Sequence, residues 1–456
     1  MLRRSRQHRS GLWGSGLWAA AALLVTAGAG TLLLHADSAD FLAGFFYDTL
    51  PPDPHDPAID YFGETTDPIA QLQQRIAAGE VSLDYADRAG FLASFLQALN
   101  IDISSQVVVF SKTSLQRDLI EPANPRTIFF NDQVAVAWMY GGFIEIASQD
   151  PRKGVIYYQL EQAPGRPRFT RETNCLGCHE ADLGVAGMLS RTQVVSAAGD
   201  PLLIYGGDFS THRTAFEGRW GGWYVTGIPA STADRFRHLG NAMLTDLNSD
   251  DPSTIITPET ISVATLKDKF DTSHYLSPYS DAAALLVFDH QMHMMNLLVR
   301  AGWEARVALE RAESGAAEAQ AKLKQVIEES AAQVADYMLF TGETPLPAPL
   351  EDTSGFREDF AARGPVDARG RTLRQIDAKT RLMRYPLSYM IYAPAFDALP
   401  TELRAAIYER LWNVLTGSAE DADDERYAHL DAPTRAAIVE IVRDTKADLP
   451  DYWTNR

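Results

Sequence analysis

The sequence is poor in cysteine: its 456 residues include only two, Cys175 and Cys178. A disulfide framework elsewhere in the chain is therefore excluded, and stability must come from packing or from a cofactor held by that pair. An excess of positive charge is also lacking, because 60 Asp and Glu outnumber 41 Lys and Arg, giving a net charge of −19. So acidic a protein repels nucleic acid. The charge would suit a basic partner, but we favour the simpler view that it maintains solubility.

Several catalytic signatures are missing as well. The chain has no Ser-His-Asp order, phosphate-binding loop or paired-carboxylate motif, so neither hydrolysis nor phosphoryl transfer is indicated. What is present is an ordinary globular balance of 46% hydrophobic and 22% charged residues, which argues against disorder. The length is sufficient for about two or three domains.

The amino-terminal 36 residues have the composition of a membrane-targeting segment. Four arginines, the last of them Arg9, precede an uncharged stretch from Gly11 to Leu34 that is long enough to span a bilayer as a helix. A cleaved secretory signal is the alternative, and Ala27-Gly28-Ala29 is its possible cleavage site. We favour an uncleaved anchor. The expected location is the inner membrane, crossed once, with the basic tail in the cytoplasm and the body in the periplasm.

Beyond this anchor, residues 1–36, the pattern divides the chain into three parts. Residues 37–60 are proline-rich and predict a linker. Residues 61–280 predict a mixed α/β domain that carries both cysteines, and residues 281–456 predict a helical domain. The expected fold class is α+β.

The predicted sheet is small and antiparallel, since its strands are short, rich in β-branched and aromatic residues, and separated by turn residues. They are Val107–Phe110, Thr127–Phe130, Val134–Trp138, Ile144–Ala147 and Val155–Leu160. After about Asp281 the apolar residues recur with a helical period. Gly315 separates two long helical patterns, Asp281–Arg311 and Ala317–Phe340, which predicts a long antiparallel helix hairpin.

Both cysteines belong to one pentapeptide, Cys175-Leu176-Gly177-Cys178-His179. In the Cys-x-x-Cys-His pattern the two thiols add to the vinyl groups of a haem, and the histidine becomes the proximal ligand of the iron. We therefore expect one covalently attached haem c. Bacteria attach haem c outside the cytoplasmic membrane, which agrees with the exported topology.

Three alternative roles for the cysteine pair are weaker. A structural zinc site needs four protein ligands, and no second cysteine pair is available. A thioredoxin-like redox pair belongs in a βαβ unit, whereas the predicted strands here form an antiparallel series. A simple disulfide would leave His179 without a role.

The sixth position of the iron decides between an electron carrier and an enzyme, because a strong second ligand blocks chemistry and an open position permits it. His290 is our first candidate for this ligand, and it shares a face of the predicted long helix with Met294. A histidine on such a face can equally be a hydrogen-bonded core residue. His238 and Met188 are the next candidates, and an open position is the remaining possibility.

The stretch from Arg219 to Tyr224 packs three aromatic residues and an arginine together. Trp223 could wall a haem pocket, and Arg219 could pair with a haem propionate. A core strand with a glycine bulge accounts for the same residues equally well.

Several segments, taken in order, give the chain a family resemblance. They are Ser111-Lys112-Thr113-Ser114, Asn124-Pro125-Arg126, Phe130-Asn131-Asp132, Cys175 to His179, Gly221 to Gly227, His238-Leu239-Gly240-Asn241, His290-Gln291 with Asn296, and Arg381 to Tyr392. The chain resembles a family of bacterial exported, membrane-anchored, single-haem cytochrome c-like proteins that has no assigned reaction. The resemblance runs from about Asp60 to Trp453, and only the haem motif in it is chemically specific.

The resemblance implies that the sheet, the haem segment and the helical half form one architecture, and it draws attention to His238 and His290. The chain departs from the family pattern after Gly227, where Ile228-Pro229-Ala230 replaces a histidine-containing stretch. That departure puts a second metal site in this region in doubt.

The function expected from the sequence is single-electron transfer by a membrane-anchored periplasmic cytochrome c. Its partner would be another redox protein or a membrane respiratory complex. A body of roughly 400 residues is larger than a carrier haem needs. The alternative is therefore a haem c oxidoreductase acting on a small oxidant such as a peroxide or a nitrogen oxide, and a haem-based sensor or structural subunit is a third possibility. Di-haem peroxidases are excluded by the lack of a second Cys-x-x-Cys-His motif.

Overall fold

Short strands dominate the first half of the chain. The computed structural model describes residues 52–202, 207–236, 243–244, 255–256, 263–418 and 425–454. Its strands are β1 Val107–Val109, β2 Arg126–Phe130, β3 Val134–Trp138, β4 Ile144–Asp150, β5 Gly154–Leu160, β6 Phe169–Arg171, β7 Arg191–Gln193, β8 Val195–Ser196, β9 Gly207–Phe209, β10 Trp223–Tyr224, β11 Met243–Leu244 and β12 Ile255–Ile256.

Seven of these strands form the main sheet, in the order β10-β1-β2-β3-β4-β5-β6. Every neighbouring pair in it is antiparallel, so the predicted antiparallel sheet is confirmed. The remaining strands make a three-stranded sheet, β12-β11-β8, and the pair β7-β9.

The main sheet separates two layers of helices, because alternate side chains point to opposite faces. The register places Phe130 and Tyr157 on one face and Tyr158 and Phe169 on the other. Tyr158 and Phe169 contact the helical segment at residues 67–98. Phe130 packs on the long helix of the second half, with ring centroids 5.2 Å apart at Phe288. The class is therefore α+β, with helices on both faces of an antiparallel sheet.

The described residues contain ten helices. They are α1 Pro68–Ala77, α2 Leu92–Ala98, α3 Leu176–Leu183, α4 Ala282–Ala312, α5 Ala317–Met338, α6 Phe356–Ala362, α7 Pro394–Asp397, α8 Thr401–Thr416, α9 Ala432–Thr445 and α10 Asp451–Thr454. The predicted hairpin is α4 and α5. Asp281 caps the start of α4 by accepting from the backbone N–H of Ala283, and Gly315, at φ +71°, makes the turn that only glycine adopts easily.

The predicted transmembrane helix and inner-membrane location are corrected by the structure. No helix in the described ranges is long and apolar enough to cross a bilayer. The longest, α4, carries Asp289, Arg300 and Glu304 along its length, and such charges are costly in lipid. Residues 11–34 lie outside the described residues. A single-pass anchor is therefore unsupported.

The described residues all fall within one compact unit, residues 50–456. Residues 37–51 of the predicted linker lie outside the described residues, and the rest of it forms hydrogen-bonded turns in which Ile59 is buried. The predicted boundary near residue 280 coincides with the start of α4 and remains, as a domain boundary, a prediction.

Candidate functional site

The Cys-x-x-Cys-His motif lies where the main sheet gives way to the short helix α3. Strand β6 ends at Arg171, and the backbone N–H of Glu172 still donates to the carbonyl of Tyr157. Cys175 then caps α3, which ends at Gly184 with φ +67°. Positions 175, 178 and 179 are spaced i, i+3 and i+4, so both thiols and the imidazole lie on one side of the helix. Cys178 is exposed and Cys175 is half-buried.

The His179 ring has a fixed orientation and a defined tautomer. Its Nδ1 lies 2.8 Å from the carbonyl oxygen of Gly187. A carbonyl oxygen can only accept, so Nδ1 is the donor of this hydrogen bond. The ring also packs on Tyr157, with centroids 4.8 Å apart. A histidine that donates Nδ1–H to a backbone carbonyl and keeps Nε2 for a metal is the usual arrangement of a metal-ligating imidazole.

The acceptor of this hydrogen bond is itself held from two sides. The Tyr157 hydroxyl donates to the Gly187 carbonyl at 2.5 Å. The Asn296 side chain of α4 clamps the next residue, accepting from the Met188 N–H and donating to its carbonyl, both at 2.7 Å. A Cβ on Gly187 would lie 2.4 Å from the Asn296 Oδ1, so this close approach requires glycine. Sheet and long helix together therefore position His179.

Met188, the other candidate ligand, follows Gly187 directly. It is buried, and both of its backbone polar groups are bound by Asn296. Its backbone therefore helps to hold the loop that positions His179, and its predicted role as a ligand stays a prediction.

His290 lies in the core and uses both ring nitrogens within the protein. It is fully buried; its Nδ1 is 2.8 Å from the Nδ1 of His212, and its Nε2 is 2.8 Å from the Ser388 Oγ. The Nε2 of His212 faces the carbonyl of Thr341 at 3.4 Å and must be the donor. The direction of each hydrogen bond in this series is therefore known: Ser388 donates to His290, and His290 donates to His212.

Both histidines of this pair are neutral, because burial lowers the pKa of His290 to about 3 and that of His212 well below its usual value. The ring of His290 also stacks on Phe340. None of these partners belongs to α3. The structure therefore does not bring His290 together with His179, and the predicted ligand role of His290 gains no support. His238 lies outside the described residues.

Arg219 and Trp223 are likewise buried and bonded within the protein. Arg219 is 1% exposed; its Nη1 is 3.6 Å from the Asp289 Oδ2, and its Nη2 donates to the carbonyl of His212. Burial raises the pKa of Asp289 to about 6 despite this arginine. The Trp223 Nε1 donates to the carbonyl of Arg191 at 2.7 Å. Arg219 thus belongs to a core ion pair, and its predicted pairing with a haem propionate gains no support.

The electrostatics of the motif disfavour a reactive thiol. Burial, together with Glu172 and Glu145, raises the pKa of Cys175 to about 12. Thioredoxin-like enzymes need the opposite shift, because the thiolate is the nucleophile. Within the described ranges, no group of three or more His, Cys, Asp or Glu side chains is arranged to hold a metal ion. A structural zinc site at the cysteines therefore has no further ligands there.

Sequence reasoning missed the residues that support His179. Asn296 stood in a segment that carried the family resemblance, but nothing in the sequence linked it to a loop more than a hundred residues away. Gly187 had no signal beyond being a glycine.

No protein-family model, curated protein or solved structure matches this chain. The function must therefore be inferred from the motif and its surroundings.

Proposed function

We propose that this protein is a c-type cytochrome that binds one haem through thioether bonds to Cys175 and Cys178, with His179 as the proximal ligand, and that it transfers single electrons. One observation carries the proposal: His179 donates Nδ1–H to the Gly187 carbonyl at 2.8 Å, on the same side of α3 as both thiols. Neither thiol is in a disulfide. When bound, the haem supplies an iron that changes its oxidation state by one electron.

The surrounding residues orient the ligand and set its basicity. The Gly187 carbonyl accepts from both Tyr157 and His179. A stronger bond to His179 makes the imidazole a better electron donor to iron and lowers the reduction potential. The tyrosine competes for the same oxygen and limits that effect. Asn296 keeps the carbonyl in place, so the ligand cannot rotate away.

Exposure of Cys178 favours a site open to a redox partner. A haem attached to this thiol would be held at an exposed position, within reach of another protein. The net charge of −19 favours a partner with a basic surface, because opposite charges accelerate encounter. The partner class is therefore a basic electron-transfer protein or the basic face of a larger redox complex.

Covalent attachment tests the proposal. The full chain is produced in bacteria that carry the haem c attachment machinery, and the purified protein is extracted with acidified organic solvent. We expect haem absorbance to stay with the protein. The C175A/C178A double variant should lose it, and the T173A variant, altered at an exposed residue just outside the motif, should retain it. Haem that is extractable from the parent protein, or absent from it, would contradict the proposal.

Stoichiometry provides the second part of the test. A reductive titration of the haem-loaded chain should consume one electron per chain and be reversible. A larger uptake, or irreversible loss of the haem spectrum, would count against a simple electron carrier.

A further inference from the structure

The loop that follows the haem motif is attached to α4 at two points, and the bonds between Asn296 and Met188 form the first. The second is a hydrogen bond of 2.5 Å from the Ser190 hydroxyl to Oδ1 of Asp289. Both of these side chains are buried. Asp289 precedes Asn296 by seven residues, or two helical turns, so both lie on one face of α4. Residues 187–190, here called the proximal loop, therefore run along α4 with a polar attachment near each end.

Trp220 holds the other oxygen of Asp289 from an unusual backbone conformation. Its φ is +64°, in the left-handed region that a bulky residue rarely adopts. The side chain is 1% exposed, and its Nε1 donates to Oδ2 of Asp289 at 3.3 Å. Such a conformation persists only where the surrounding structure fixes it, and it is most common at functional sites. The strained residue and the second attachment of the proximal loop thus meet at one carboxyl group.

The glycine after this tryptophan contacts the chain that follows the proximal loop. The N–H of Gly221 donates to Oγ1 of Thr192 at 2.6 Å, and its carbonyl accepts from the N–H of Gln193 at 3.2 Å. A Cβ on Gly221 would lie 2.3 Å from the nitrogen of Gln193, so this contact requires glycine. Trp223 donates to the carbonyl of Arg191. Three successive residues after the proximal loop are therefore held by one short segment.

We propose that Asp289 and Trp220 are positioning residues for the proximal ligand of the haem, and that they act through Ser190 on the proximal loop. This inference rests on the proposed function and adds to it. The near end of the loop is residue 187, whose carbonyl accepts from His179. Its far end is residue 190, which Asp289 fixes. With both ends attached, the carbonyl stays within hydrogen-bond distance of the imidazole, and this bond sets the basicity of the ligand.

The S190A variant tests the inference in the haem-loaded full chain. It removes only the hydroxyl that reaches Asp289, so the proximal loop should loosen and the hydrogen bond to His179 should weaken. The imidazole then donates less strongly to the iron, and the reduction potential should rise. Hydrogen exchange at the Met188 N–H should become about fivefold faster, the factor expected for one lost buried hydrogen bond. The S190T variant keeps a hydroxyl and should return both quantities toward the parent values.

S388A is the matched control. Ser388 is also buried, and its hydroxyl makes a comparable bond, 2.8 Å from Nε2 of His290. That partner lies outside the proximal loop. The S388A variant should lower the urea midpoint of unfolding about as much as S190A does, while the reduction potential and the exchange rate at Met188 stay unchanged.

The W220F variant tests the tryptophan independently. It removes the indole N–H, so the potential should shift in the same direction as in S190A, but less, because Arg219 still faces Asp289. W303F is its control, since the buried indole N–H of Trp303 has no bonded acceptor among the described residues. S190A and W220F proteins that keep the parent potential would overturn the inference. A parent chain without covalent haem would instead overturn the proposed function, so the two failures are distinguishable.

Discussion

At the scale of single residues, one carbonyl oxygen connects the fold to the proposed chemistry. The Gly187 oxygen accepts from His179 of the motif and from Tyr157 of β5. Since both donors compete for one acceptor, the strength of the bond to His179 depends on whether the tyrosine hydroxyl is present. A side chain that does not touch the iron can therefore tune its ligand.

The Y157F variant should lower the reduction potential of the haem-loaded protein. Without the hydroxyl, the Gly187 carbonyl is a stronger acceptor for His179, and the more basic imidazole stabilises the oxidised iron. Potentiometric titration followed by absorbance measures the change. The control is Y158F, which removes the neighbouring hydroxyl, bonded to Asp67 on the opposite face of the sheet. Each variant loses about 1 kcal/mol of stability. A potential that rises in Y157F, or shifts equally in both, would contradict the role assigned to Gly187.

Asp289 gives the protein a titratable core. Its pKa is raised from 3.8 to about 6 by burial. Folding therefore favours the protonated carboxyl, and the resulting stabilisation is complete below the unfolded pKa and is lost as pH rises through about 6. It amounts to about 3 kcal/mol. The D289N variant should show a flatter dependence of unfolding free energy on pH between about 4 and 7.

Urea unfolding across that pH range measures the slope. The absolute stability of D289N also reflects the loss of the partner of Arg219, so the slope is the informative quantity. The E318Q variant, altered at an exposed acid in the first turn of α5, should keep the parent slope. Parallel pH profiles for D289N and the parent would show that Asp289 does not titrate as described.

The residue scale also shows where sequence reasoning ends. Five consecutive residues identify the motif, because the chemistry of thioether attachment fixes their spacing. The partners of His179 come from β5 and α4, and only the folded chain brings them to residue 187. The sequence left Arg219 equally open to a propionate or a core role, and the structure pairs it with Asp289 in the core.

At the scale of elements, helix α4 connects the sheet to the motif. Its Phe288 packs on β2 and its Asn296 clamps the loop behind His179. The two positions are eight residues apart, or about 12 Å along the helix axis. Movement of α4 relative to the sheet would therefore shift the proximal ligand.

The N296A variant should disturb the haem more than the fold. It removes two buried hydrogen bonds, which costs about 2 kcal/mol, and it releases the Met188 backbone, so the reduction potential should shift and broaden. Q291A is the matched control on the same helix, because the Gln291 side chain also bonds two groups outside α4, the Asn131 carbonyl and the Tyr389 hydroxyl. Equal effects of both variants on the haem spectrum and potential would mean that Asn296 acts only through stability.

The elements that sequence predicted well are those with a local signal. Alternation and turn residues located the strands of the main sheet, and a helical period interrupted at Gly315 located the hairpin. Residues 52–60 of the predicted linker form hydrogen-bonded turns. Proline-rich composition does not reveal such turns, nor the bond from Arg171 to the carbonyl of Tyr61.

At the scale of the whole molecule, size and charge shape the expected behaviour. The helical half contributes α4 to the site. It also buries the hydrogen-bonded series Ser388, His290 and His212. Part of the mass beyond what a carrier haem would need thus holds the loop that positions His179. The overall charge of −19 determines which partners approach readily.

Electron exchange with small charged reagents should report this charge. Reduction of hexaammineruthenium(III), a cation, should slow as salt is added, and reduction of ferricyanide, an anion, should accelerate. The Debye length of about 10 Å at 0.1 M salt sets the range over which screening acts. Stopped-flow mixing of the reduced protein with each reagent measures both rates. The opposite pair of trends would mean that the surface around the haem edge is not acidic.

The intact mass of the denatured chain is the sharpest test of haem attachment. Full-length protein from cells that attach haem c is unfolded and weighed by mass spectrometry. We expect the mass of the polypeptide plus one haem, and the unmodified mass for the C175A/C178A variant. A parent chain without added haem mass, from cells that attach haem to another Cys-x-x-Cys-His protein in the same culture, would contradict the proposed cytochrome.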